Sequence, residues 1–141
     1  MGDYQLDWRG DEVKREVMQN VAQAWGEFAL EVEGESKREL RRGHGVETGT
    51  LRRSIHVGEA GYDWGGDDVE AGQSSPERGG ALVTPEADSV TLSLEVGSGL
   101  RYAMPVHQGH HSFQGYHYLT NGLKKAKAKL DAILRRHRLQ R

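Results

Sequence analysis

The sequence predicts an α+β domain, a small antiparallel sheet packed by a long N-terminal helix and a C-terminal helix, with a long loop or arm between the strands. Three observations predict it. Apolar residues recur at helical spacing over residues 11–42, alternate strictly with polar ones over residues 90–96, and return to helical spacing after Tyr118. Elements in the order helix, strands, helix imply a small antiparallel sheet with the two helices packed on it. A chain of 141 residues buries one core without metals or crosslinks, so a single domain over 1–141 is expected, with residues 1–10 as an N-terminal extension.

The first helix, residues 11–42, carries Val13, Val17, Val21, Trp25, Phe28 and Val32 on one stripe, in steps of three or four. Gly26 and Gly34 each cost about 1 kcal/mol relative to alanine inside a helix, which allows a kink or early end near Gly34. Lys37, Arg38, Arg41 and Arg42 before Gly43 have the makings of a helix C-terminus, cations near the negative dipole end and a glycine free to turn left-handed.

A strand is expected over 51–60, entered by a helical turn or an extended segment at Leu51 and continuing through Ile55-His56-Val57-Gly58. Residues 61–89 hold glycines, Pro76, Pro85 and a cluster of acids, and read as a loop or arm in which Asp67-Asp68 is a solvated turn. Within it, Ala81-Leu82-Val83-Thr84 is able to pair as a short strand. The alternation at 90–96 marks a half-buried strand, ended by Gly97-Ser98-Gly99. A glycine- and histidine-rich connection over 97–117 leads to a helix over 118–138. There Leu119, Leu123, Ala126, Leu130, Ile133 and Leu134 form the apolar face, and Lys124, Lys125, Lys127, Lys129, Arg135 and Arg136 cover the rest. So small a sheet is expected to leave a face or edge open, a natural joining surface.

With no cysteine, disulfides and thiolate metal sites are excluded, and the cytosol is a compatible compartment. The first residues lack the basic opening and apolar run of an export signal, and no stretch approaches the roughly 20 apolar residues of a membrane span, so neither export nor membrane insertion is expected. Net charge is only -2, but it is unevenly spread: residues 101–141 hold nine Lys/Arg and one acid, residues 1–100 ten Lys/Arg and twenty acids. That asymmetry fits nucleic-acid contact or the meeting of acidic and basic faces on neighbouring subunits.

His107, His110, His111 and His117 make metal binding the first chemical hypothesis to weigh, since imidazole is a common zinc ligand. Their spacing matches no helical zinc motif, and no Asp or Glu lies between residues 101 and 130 to support them, so a loop with interfacial or solvated histidines is the stronger reading. Carboxylates are not paired among apolar neighbours, and Ser54, Ser74, Ser75 and Ser112 lack a nucleophile-elbow context. Neither a phosphate-cradling loop nor a dinucleotide fingerprint occurs. No enzyme, catalytic residue or cofactor is therefore expected. The basic last helix carries an alternative reading as a nucleic-acid-binding accessory protein, weakened because no aromatics interleave with its charges.

Glu47-Thr48-Gly49-Thr50-Leu51-Arg52-Arg53-Ser54-Ile55 follows the long helix and turns Leu51 and Ile55 inward. The segment resembles the Thr-Gly-x-Leu-Arg-x-Ser-Ile signature of the tail-completion or neck family of long-tailed bacteriophages, minor tail components of the head-to-tail joining region. Further on, Tyr102-Ala103-Met104-Pro105-Val106-His107-Gln108-Gly109 is similar to that family's Tyr-Ala-x-x-Val-Glu-x-Gly element, with His107 in place of the acid. Together with Val96-Gly97 and the final helix, the likeness covers most of residues 11–138. It implies a virion protein of the neck or tail, made in the host cytoplasm, that forms a ring through which DNA passes without sequence-specific binding. A hexamer is the expected ring and a dodecamer the alternative, with tail-tube and portal-side neck proteins as partners and no membrane. Arg52, Arg53, Tyr102, His107, Lys124 and Lys125 are the expected subunit-interface residues. The acidic N-terminal part is expected to meet a neighbour's basic C-terminal helix head to tail.

Overall fold

A computed structural model of the protein describes residues 10–42, 45–46, 49–69, 82–85, 92–109 and 112–139. The expected α+β architecture is present: a long N-terminal helix packs on a two-stranded antiparallel sheet and on the C-terminal helices. Helix α1 spans Gly10–Glu39, about 45 Å at roughly 1.5 Å per residue. It passes Gly34 without a break, and a methyl group there would meet open space. It ends before the expected Arg42. Arg41–Arg42 (β1) instead pair with Gly45–Val46 (β2) in a minimal parallel bridge.

The segment expected to begin a strand at Leu51 folds first as a helical turn, α2, Thr50–Ser54. Gly49, left-handed at φ 82°, starts it, and its carbonyl accepts the Arg53 amide at 3.0 Å. Burial explains why helix wins: Leu51, Ser54 and Ile55 lie inward while Arg52 and Arg53 stay exposed, a spacing of three and four. Strand β3, His56–Glu59, follows and pairs antiparallel with β4, Leu94–Gly97, with His56 opposite Gly97 and Glu59 opposite Leu94. The alternation at 90–96 thus becomes a shorter strand displaced toward Gly97. Residues 92–93 are not in it, and 90–91 lie outside the described residues. Residues 82–85 are not in a strand, and of Ala81-Leu82-Val83-Thr84 the first is outside the described residues.

The loop or arm at 61–89 contains a 3-10 turn at Trp64–Asp67. Tyr62 and Trp64 fold back over His56 with ring centroids 5.1 and 4.7 Å away, so these rings cover the His56 end of β3. The connection at 97–117 contains a short helix, α3, Ala103–Gln108. The single helix expected over 118–138 is two, α4 Tyr118–Lys127 and α5 Leu130–Arg136, separated at Ala128 and Lys129.

Among the described residues, two apolar clusters form the core. Leu40, Leu51, Ile55, Leu100, Ala103 and Tyr118 make one; Ala24, Phe28, Val32, Ala126 and Ile133 make the other, and Val96 touches both. The expected α1 stripe is therefore buried only from Phe28 onward. Val13 is 57% and Val17 45% exposed, because α4 and α5 reach only the C-terminal part of the helix and leave the N-terminal turns projecting. No described helix is long and apolar enough to cross a membrane.

Close approach holds α4 to α1. A Cβ on Gly122 would sit 2.2 Å from Ser36 Oγ and 2.7 Å from the Ser36 amide nitrogen, so the helices reach this separation only with glycine at the crossing. Gly122→Ala is expected to lower stability by about 1–3 kcal/mol through overpacking, whereas Gly34→Ala raises it by about 0.5–1 kcal/mol. Urea unfolding of both variants beside the parent checks the opposite signs.

Candidate functional site

The two sequence segments that carry the family resemblance meet in space. Leu51 and Ile55 from the first pack in one cluster with Ala103 from the second, and the Thr50 side chain hydrogen-bonds to Tyr102. Burial, opposed by Thr50 and the charge of Arg53, raises the Tyr102 hydroxyl above its ordinary pKa. Ser54 Oγ donates to the Leu51 carbonyl at 2.6 Å and shares a 2.6 Å hydrogen bond with Ser98 Oγ, tying α2 to the end of β4. From α4, the buried Tyr118 donates its hydroxyl proton to the Ala103 carbonyl at 2.9 Å, and burial raises its pKa strongly. Leu51, Ile55, Tyr102 and Ala103 act as the joint between α2, α3 and α4.

The six expected interface residues fall into two groups. Arg52 and Arg53 are exposed on α2, beside the half-buried Tyr102. His107, Lys124 and Lys125 belong to the α3–α4 side. Lys125 Nζ is paired with Glu39 of α1, whereas Lys124 has no carboxylate partner among the described residues.

That pairing belongs to a larger pattern. Lys129 Nζ lies 3.1 Å from both Glu31 and Glu35, Arg136 pairs with Glu27, and His137 Nε2 is 2.6 Å from Glu27. The acidic and basic parts of the sequence therefore meet within one chain, along the α1 seam with α4 and α5. Glu35 shows the balance. Burial alone would raise its pKa, but the Lys129 hydrogen bond and the charges of Arg38 and Lys129 hold the carboxyl below its ordinary value. Those pairs are not available for a head-to-tail contact of the kind expected from charge alone.

Of the four clustered histidines, His110 and His111 lie outside the described residues. His107 and His117 rings stack edge to face at 5.5 Å. No group of three or more metal-ligating side chains occurs among the described residues. His107 has a definite structural role, because its Nε2 accepts the Thr120 amide at 3.4 Å and lies 3.3 Å from Thr120 Oγ1. Thr120 stands in the first turn of α4, where amides have no partner within the helix, so His107 caps that helix from outside. The position calls for an acceptor.

Sequence reasoning missed a second polar cluster. Asp67, expected in a solvated turn, is buried; it accepts the Tyr62 hydroxyl at 2.6 Å and lies 3.5 Å from Nε2 of the buried His56. His56 Nδ1 is 3.1 Å from the Ser54 carbonyl, and Trp64 Nε1 donates to Glu95 at 2.6 Å. Asp68 accepts from the Arg101 backbone amide at 2.8 Å and from Arg101 Nε at 3.2 Å. The Ser54 hydroxyl faces Leu51 and Ser98, away from the imidazole, so these groups clamp the turn to β3, β4 and α3. The only advance signal was Asp67-Asp68 lying close to Tyr62 and Trp64.

Beside the α3–α4 side lies an apolar groove of about 510 Å³ between α1, β4 and α4. Trp25, Phe28, Val32, Val96, Leu119 and Leu123 line it, with His107 and Lys127 at its polar margin. Comparisons with protein-family models, curated proteins and solved structures find no match to this chain.

Two outcomes are expected. Burial and the neighbouring His117 lower the His107 pKa, so the unfolded chain takes up the proton more readily. The stabilisation is complete above about pH 6.5, the ordinary value, and is lost as pH falls through the folded-state pKa. His107→Gln keeps an acceptor without titrating, so the drop in urea midpoint between pH 7.5 and 5.5 should be smaller than in the parent. Asp67→Ala leaves Tyr62 and His56 without their carboxylate and should cost about 2–3 kcal/mol in the same unfolding assay at pH 7.

Proposed function

We propose that this chain is a structural virion protein of a long-tailed bacteriophage, a neck, tail-completion or tail-terminator component of the head-to-tail connector. It forms a ring through which DNA passes and joins the tail tube to the head. The observation that carries the reading is the joint just described: both resemblance-bearing segments, more than forty residues apart, supply side chains to a single core cluster. Function in this reading is binding through complementary surfaces, and closure of a heterologous contact makes the ring.

The alternative, a nucleic-acid accessory protein, draws on the cations of α4 and α5. It is disfavoured because Lys125, Lys129 and Arg136 are held by carboxylates of α1. A cation already paired has less to gain from a phosphate.

Mass photometry and negative-stain imaging of the purified protein, alone and with tail-tube or portal-side proteins, test the proposal. Rings of six subunits, or of twelve, are the expected result. A persistent monomer with no affinity for either side overturns it, and strongly salt-dependent duplex binding that weakens on neutralising Lys124 and Lys127 would favour the alternative.

A further inference from the structure

With a neutral imidazole, the buried pair of His56 and Asp67 is one proton short. Their side chains are only 5% and 7% exposed, so water does not supply missing partners. His56 Nδ1 faces the Ser54 carbonyl at 3.1 Å, and a backbone carbonyl only accepts. Nε2 faces Asp67 Oδ2 at 3.5 Å, an oxygen that already accepts the Tyr62 hydroxyl. A neutral imidazole carries one N–H, so in either tautomer one nitrogen turns a lone pair on an acceptor. Only the doubly protonated ring offers a proton to both oxygens. At its present separation the buried Nε2 makes no hydrogen bond, which leaves its contact with Asp67 one of charge.

We propose that His56 holds a second proton, on Nε2, and that its charge contact with Asp67 is a pH-sensitive latch on the turn from Tyr62 to Asp68. The surroundings leave the pair to each other. Among the described residues, Asp67 has no Lys or Arg partner, so the imidazolium is its counter-charge. Within the turn, Asp68 is taken up by Arg101, and Tyr62 and Trp64 set their rings edge-on against the imidazole. Glu95 of β4 accepts from Trp64 Nε1, Glu59 of β3 is exposed, and Arg53 of α2 lies beside Gly49 and Tyr102. No described acid or base of α1, which also packs on β3, pairs with either residue.

The turn has room to move and something to carry. A hollow of about 450 Å³ lies beside β3, Tyr62 and Val83, so Tyr62 has space to swing away. Trp64 and Asp67 pack so closely on Gly99 that a Cβ there has no space, and Asp68 holds the Arg101 amide, next to Tyr102 of the α2–α3 joint. The sign of the pH effect follows from proton count. The folded chain keeps a proton that the unfolded chain gives up more readily, so the latch stabilises on the acid side. Its contribution is full below about pH 6.5, the ordinary histidine value, down to the pH at which Asp67 is itself protonated. It is lost as pH rises through the point where His56 releases its proton, opposite in sense to His107.

Long-range 1H–15N NMR of the full chain, with His56 and Arg101 assigned by through-bond experiments, tests the latch. At pH 7 both ring nitrogens of His56 should be protonated. In Asp67→Asn the second proton should leave about one pH unit lower, a tenfold weaker hold. The Arg101 amide should shift in step with proton loss from His56 in the parent and stay fixed over the same range in His56→Gln. A bare ring nitrogen on His56 at pH 7, or release at an unchanged pH in Asp67→Asn, overturns the charge contact. An Arg101 amide that ignores the state of His56 overturns the latch. Should either variant fail to fold, the parent titration decides alone, because it reads both the second proton and the Arg101 response.

Discussion

Close packing of α4 against α1 is the constraint on which the other features depend. Gly122 lets the two helices approach at Ser36. That proximity brings Lys125, Lys129 and Arg136 within reach of the carboxylates at Glu39, Glu35, Glu31 and Glu27. Exposed pairs of this kind each contribute little, but a ladder of them along one seam fixes the register of the crossing. Burial of Phe28, Val32, Ala126 and Ile133 beneath the seam supplies the larger, non-directional part of the attraction.

Once that seam is set, the sheet has little left to do. Strands β3 and β4 contribute four residues each, too few for independent stability, and are held between α1 on one side and the Tyr62 and Trp64 rings on the other. The His56, Asp67 and Tyr62 cluster secures that second cover. Buried polar groups stabilise only where partnered, so the turn is as dependent on Asp67 as Asp67 is on the turn. The polar cluster is thus part of the scaffold.

His107 links scaffold and surface. Its Nε2 caps α4 while its ring borders the apolar groove, so the start of the helix and the margin of the groove share one side chain. A group that must stay neutral to accept a hydrogen bond gives both features the same sensitivity to acid.

The fold class, the long first helix, the strand near Val96 and the helical, basic character of the C-terminal region were legible in the sequence, though not its division into two helices, because periodicity of apolar residues reports which face is buried whatever covers it. Other features were decided only by tertiary contact. Leu51 to Ser54 became helix because the core lies along one helical face, and Asp67 was buried because Tyr62 and His56 enclose it. Val13 and Val17 keep the apolar pattern of core residues yet lie in the open, since the pattern records a face that wants cover and says nothing of whether the same chain provides it. Charge behaved in the same way: composition showed an acidic and a basic half, and only the packing of α4 and α5 on α1 decided that the two halves meet within one chain.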